Sequence, residues 1–214
     1  MNFKRIPTLI ALLLILNSGF AQKFYSGSIT KVNGEILNGY FSLPKSVTDK
    51  SIDFKESDKS KEREIKSDSV RLISIHTKGG VTSSLERIQV TKKEKGYVIL
   101  ITEGFANLYL NGDGFSVSKE GKFSPYTSFV SGRDLPTFNY LALRKNEKVA
   151  TVIAVTSPSP TVFGLNNTFR TFASKYFADY PELVKRIDNK EFTHDDVEKV
   201  VKIYNKHMEE NQKK

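Results

Sequence analysis

Residues 97–118, YVILITEGFANLYLNGDGFSVS, decide the fold. Tyr97 to Thr102 is strongly apolar and fits a central β-strand. Glu103-Gly104 turns the chain, Phe105 to Leu110 returns, and Asn111-Gly112-Asp113-Gly114 turns it again. Phe115 and Val117 then alternate with polar residues, so the whole stretch reads as a β-meander in short steps.

Towards the N-terminus the same chemistry recurs. Phe24 to Val32, Asn33-Gly34 and Glu35 to Leu43 read as a hairpin, because Asn-Gly suits the positive φ values of a type I′ turn. Pro44 ends the second strand, having no donor for a ladder. Ser51 to Lys55 is a short strand. Residues 55–68 hold five basic and five acidic side chains, and 56–68 read as a solvated loop with no apolar face to bury. Val70 to Thr77 resumes strand character, with Val70, Leu72 and Ser74 expected on one face and Arg71, Ile73 and Ile75 on the other. Lys78-Gly79-Gly80 turns into a further strand, Val81 to Val90. Lys92, Lys93, Glu94, Lys95 and Gly96 then form a charged tip.

Towards the C-terminus, Phe138 to Arg144 and Val149 to Thr156 form a hairpin around Asn146-Glu147. Ser157-Pro158-Ser159-Pro160 stops the β region, and the period changes to that of helices. Phe169, Phe172, Ala173, Tyr176 and Phe177 share one face. Asp179 is placed as the start of a second helix, with Pro181 in its first turn and Glu182 at capping-box spacing. Thr193 caps a third, with Asp195 and Asp196 near its positive end and a stripe of Val197, Val200, Val201, Tyr204 and Met208. The helices are too short to hold a core alone, so the sheet is their partner. The expected class is α+β: an antiparallel, barrel-like meander body over residues 22–156, with two to three helices from 157–214 packed on it in one domain.

The beginning of the chain points to export. Lys4 and Arg5 precede an apolar run from Leu9 to Leu16, and Gly19 and Ala21 suit a signal-peptidase cut before Gln22. Residues 1–21 are therefore expected to be a removable leader, since a spanning helix needs about 20 apolar residues. Loss of Lys4 and Arg5 lowers the formal net charge from +9 to +7. Much of the excess falls in residues 69–148, with twelve basic and seven acidic side chains. That surplus favours an anionic surface or polymer, and also plain solubility.

Gly27-x-Ile29, Asn33-Gly34-Glu35, Gly39-Tyr40, Glu103-Gly104, Leu108-Tyr109, Tyr176-Phe177-Ala178-Asp179-Tyr180-Pro181-Glu182-Leu183 and Tyr204-Asn205 form a set. The set resembles a group of exported Bacteroidetes proteins, and the Ala-Gln ending of the leader fits such bacteria. The resemblance implies a periplasmic or surface protein with a β-rich body and a helical tail. It carries no catalytic residues.

Several chemistries lack their residues. The chain has no cysteine, which removes thiol catalysis and thiolate metal sites. His76, His194 and His207 show no HExxH or other ligand spacing. There is no GxSxG, Walker A or GxGxxG, and Asn111-Gly112-Asp113-Gly114 lacks the rest of a calcium loop. Asp68-Ser69-Val70 resembles a short O-glycan acceptor, against a plain strand start. Asn166-Asn167-Thr168 fits helix capping better than N-glycosylation. No cofactor and no nucleic acid are expected. The leading expectation is a non-catalytic envelope or secreted protein that binds an envelope protein or an anionic surface polymer, through Lys92, Lys93 and Lys95 and the loop 56–68. The alternatives are an envelope-polymer hydrolase with Glu103 as its acid, and a structural or stress-response protein.

Overall fold

The computed structural model describes residues 23–77, 80–127 and 136–212, without the side chains of Val81 and Thr82. The leader read over residues 1–21 and the start of the Lys78-Gly79-Gly80 turn lie outside the described residues. Among the described residues there are twelve strands: β1 (Phe24–Lys31), β2 (Ile36–Ser42), β3 (Ser51–Lys55), β4 (Arg63–Lys66), β5 (Val70–Thr77), β6 (Gly80–Gln89), β7 (Lys95–Thr102), β8 (Ala106–Asn111), β9 (Gly114–Val117), β10 (Phe123–Tyr126), β11 (Phe138–Arg144) and β12 (Thr151–Thr156). Helices α1 (Leu165–Tyr176), α2 (Pro181–Asp188) and α3 (Val197–Gln212) follow, with a 3-10 turn at His194–Asp196 leading into α3.

Ten strands form one antiparallel sheet in the order β4-β3-β2-β1-β5-β6-β7-β8-β11-β12. β7 is interior, as its apolar run requires. Tyr97 and Ile99 join the core of the β1–β6 half, and Ile101 touches both that core and the helix-covered one. Val98 and Leu100 point to the reverse face, beside Tyr109 and Leu141. A strand buried on both faces shows no polar alternation.

The sheet is α+β as expected but does not close into a barrel; β4 and β12 are its two edges. It curls instead. The Tyr97 amide donates to the Val47 carbonyl at 2.8 Å, and the Val47 amide donates to the Asp113 carbonyl at 3.2 Å. The β2–β3 connection thus spans the mouth of the first half. At the other end, the Ala150 amide donates to the Gln89 carbonyl at 2.9 Å, bringing the β11–β12 hairpin back towards β6.

Four local expectations need correction. The β1–β2 loop is a three-residue type, with the Gly34 amide on the Lys31 carbonyl at 3.0 Å and Gly34 alone at positive φ (89°), so Asn33 does not form a type I′ turn. The charged stretch 56–68 is not all loop: β4 lies within it, because Ile65 pairs with Ile52 and is 6% exposed. Ile73 and Ile75 face the core as a pair, but Val70 joins them, because a bulge between Lys31 and Thr30 skips Arg71. β9 leaves the meander and pairs with β10, carrying Phe115 and Phe123 into the core of the first half.

The helices cover the other half of the same face. Phe169, Ala173, Tyr176 and Phe177 are buried, with Leu183, Ile187, Val200, Val201 and Tyr204 beside them. Each large side chain stabilises the packing by about 1.5–3 kcal/mol. Phe172 departs from the expected stripe and is 40% exposed. Thr193 caps the last helical segment in a capping box with Asp196. Asp179 does not cap α2: Tyr180 occupies that position, with Pro181 in the first turn.

Candidate functional site

Asp179 is used elsewhere. β11 ends at Arg144, whose guanidinium enters the junction between sheet and helices. Arg144 Nη1 donates to Glu147 at 3.0 Å, Nη2 to Asp179 at 3.1 Å and to the Tyr176 carbonyl, and Nε to the Tyr204 hydroxyl at 2.8 Å. The two phenols complete the circuit. Tyr176 donates to Glu147 and Tyr204 to Asp179, both at 2.8 Å. The guanidinium also lies over the Tyr176 ring at 4.2 Å, a cation–π contact. Burial, then the neighbouring carboxylates, pushes both phenols up, Tyr204 to about 12. The cation is matched by two carboxylates and four of its donors are engaged internally, so this cluster fastens the fold.

Open chemistry lies beside it. A cleft of about 670 Å3 is lined by Asn139, Thr151, Val152, Val155, Phe172 and Lys175, with Arg144 and Tyr176 in its wall. A second, of about 420 Å3, is lined from the β2–β3 connection by Ser46, Val47 and Thr48, and from the β6–β7 tip by Val90, Thr91 and Glu94. Its other walls are Asn111, Gly112, Asp113, Asn139, Leu141 and Val152. Asn139 and Val152 line both clefts, so the two adjoin at the β11–β12 edge as a groove between the β2–β3 connection and α1. Its floor is the reverse face of the sheet, where Leu141 and Val152 pack.

Asn111 and Asn139 are direct partners across β8 and β11. Among the described residues, two buried side-chain atoms have no hydrogen-bond partner: Asn111 Oδ1 and Arg87 Nη1. Arg87 is otherwise engaged, donating to the Ser67 carbonyl at 2.9 Å and to Asp68 at 2.8 Å. Asn111 lines the second cleft, with its Oδ1 buried.

The structure distributes the expected site residues unevenly. Lys92, Lys93 and Lys95 are exposed on the β6–β7 tip, and Thr91 and Glu94 of that tip line the groove. The 56–68 segment lies at the β4 edge instead. Glu103 is exposed in the β7–β8 turn. The histidines stand apart: His76 is 3.1 Å from Ser28 Oγ, His194 bonds Asn166, and His207 stacks on Tyr180 at 3.6 Å. No group of three or more metal-binding side chains exists among the described residues. Asn111-Gly112-Asp113-Gly114 serves as the turn between β8 and β9. In the sequence Asn111 stands out only as part of a turn, and Asn139 not at all. Their signal was residue type, since asparagine is depleted in strands.

No family model, no curated protein and no solved structure matches this chain. No helix among the described residues is long and apolar enough to cross a membrane.

Proposed function

We propose that the chain is an exported, non-catalytic binding protein of the envelope or the surrounding medium, which takes a partner or a surface polymer into the groove on the reverse face of its sheet. One observation carries this reading. The groove joins an apolar floor, an exposed Phe172 and an unpartnered Asn111 carbonyl, beside a tip bearing Lys92, Lys93 and Lys95. Binding sites of this kind are concave and mostly apolar, with a few convergent polar groups. The lysines supply the positive rim that attracts anions. The leader at residues 1–21 and the resemblance to exported Bacteroidetes proteins support the location.

The test uses the full chain produced with its own leader. Its N-terminus after export is expected at Gln22, and the purified protein is expected to be retained on isolated envelope polymer at low salt. Phe172→Ser, at an exposed position, is expected to reduce retention without lowering the melting temperature. An intact leader in the cytoplasm ends the export reading. Equal retention of the wild type and Phe172→Ser ends the groove reading.

A further inference from the structure

The Asn111 end of the groove specifies its ligand more closely than the reading above, on which this inference rests. Asn111 Oδ1 is buried and has no donor among the described residues. A buried acceptor left without a donor costs stability, so a ligand that brings a donor to this point is favoured. The surrounding wall offers side chains in place of backbone. Ser46, Thr48 and Thr91 contribute hydroxyls, Asn139 a second carboxamide and Glu94 a carboxylate. β8 and β11 are interior strands here, and their backbone groups are engaged with neighbouring strands. An extended peptide docks by adding to an open strand edge; the edge strand here is β12, of which Val152 alone lines this cleft. No aromatic ring lines it, so it lacks the stacking platform that nucleic-acid bases use. A dense wall of small donors and acceptors above an apolar strip of Leu141 and Val152 suits a ring that bears hydroxyls at its edge and C–H bonds on its face.

Charge divides the cleft from its rim. Glu94 and Asp113 line the cleft, and carboxylates disfavour an anion at that point. The exposed Lys92, Lys93 and Lys95 belong to the adjoining tip. We propose that this end of the groove binds an acidic polysaccharide, with the hydroxyls of one sugar unit bonded to Asn111 and its neighbours and the acidic groups of flanking units held by the lysine tip.

Calorimetric titration of the exported, full-length product tests this with three probes: uronic-acid oligomers, neutral hexose oligomers and poly-glutamate. Uronic-acid oligomers are expected to bind tightest, with an affinity that falls as salt rises. Asn111→Ala is expected to weaken them by about tenfold, the effect of one lost hydrogen bond. Its unfolding midpoint stays at or above that of the wild type, because the side-chain carbonyl has no partner to lose. Replacing Lys92, Lys93 and Lys95 together by alanine removes the salt dependence and brings the uronic-acid affinity down to that of neutral oligomers. Unchanged saccharide affinity in Asn111→Ala, or poly-glutamate binding as tightly as the uronic-acid oligomers, overturns the saccharide assignment. If poly-glutamate binds and Phe172→Ser abolishes that binding, the groove reading survives alone. If no probe binds, the saccharide assignment fails, and retention of Phe172→Ser on envelope polymer decides the groove separately.

Discussion

Asn205 clasps the backbone of Ala106 with both ends of its carboxamide: Oδ1 accepts from the Ala106 amide at 2.8 Å, and Nδ2 donates to the Ala106 carbonyl at 2.9 Å. The pair joins α3 to the first residue of β8. Asn205 is 6% exposed and Ala106 fully buried, so water cannot replace the clasp. Asn205→Ala is expected to cost about 2–3 kcal/mol, since it orphans a buried amide and a buried carbonyl. Urea unfolding measures it, and a loss under half that size shows that the clasp is not what holds α3.

Gly104 makes room for the same side chain. A Cβ there would lie 2.2 Å from Asn205 Nδ2. Gly104→Ala is therefore expected to destabilise by about 1–3 kcal/mol through overpacking. With Asn205→Ala already present, the obstacle shrinks to the Cβ of residue 205 at 3.1 Å, and the added cost falls. Additive effects in this double-mutant cycle would contradict the steric account.

The Arg144 cluster has a different weakness. Arg144→Met leaves Glu147, Asp179 and two phenols without their common cation. The Arg144 side chain is 16% exposed, and those of Glu147 and Asp179 27% and 45%. The loss is expected at about 2–3 kcal/mol, below the penalty for a fully buried pair. Thermal melts should show it, and a coupling near zero between Arg144→Met and Asp179→Asn would place the stability elsewhere.

Alkali should unfold the protein through its tyrosines. Tyr97 and Tyr204 are each pushed up to about 12 by burial, and burial also raises Tyr109 and Tyr176. The folded state holds these protons more tightly than the unfolded chain. Their contribution is complete below the ordinary tyrosine value of about 10 and drains away as pH climbs through the folded values. Phenolate absorbance of these four rings is expected to appear together with the loss of circular dichroism. Ionisation well before unfolding would mean that they are not sealed.

Acid acts on the capping box. Hydrogen bonds from the Thr193 amide and then its hydroxyl hold the Asp196 carboxyl below its usual range. Its contribution is full above about pH 4 and is lost as pH falls towards the depressed folded value. Asp196→Asn should flatten that part of the stability profile and lower stability at neutral pH by about 0.5–1 kcal/mol. An unchanged acid limb would remove Asp196 from the account.

The fold was legible where burial leaves one pattern. β7 is apolar on both faces, and α1 and α3 carry stripes at helical spacing. β4 was hidden because a single isoleucine, Ile65, carries its pairing amid charges. β9 was assigned to the meander because period-two alternation says nothing about which strand a segment joins. The groove was less legible still. Lys92, Lys93 and Lys95 stand out as a charged run, but Asn111 and Asn139 meet only because β11 passes over the β9–β10 hairpin to pair with β8. Phe172 read as a core residue because its spacing matched the stripe, while its neighbours took the available depth.

The edge strand β12, TVIAVT, carries no charge, and α1 packs on it more closely than on any other strand. β4, at the opposite edge, carries Arg63, Glu64 and Lys66 and deters strangers by electrostatics. β12 has no such guard of its own, and its helix is synthesised after it. A nascent or clipped chain that ends in the Ser157–Pro160 segment therefore carries an uncharged, sticky border into a crowded compartment, where strand-to-strand stacking into fibres competes with the arrival of α1.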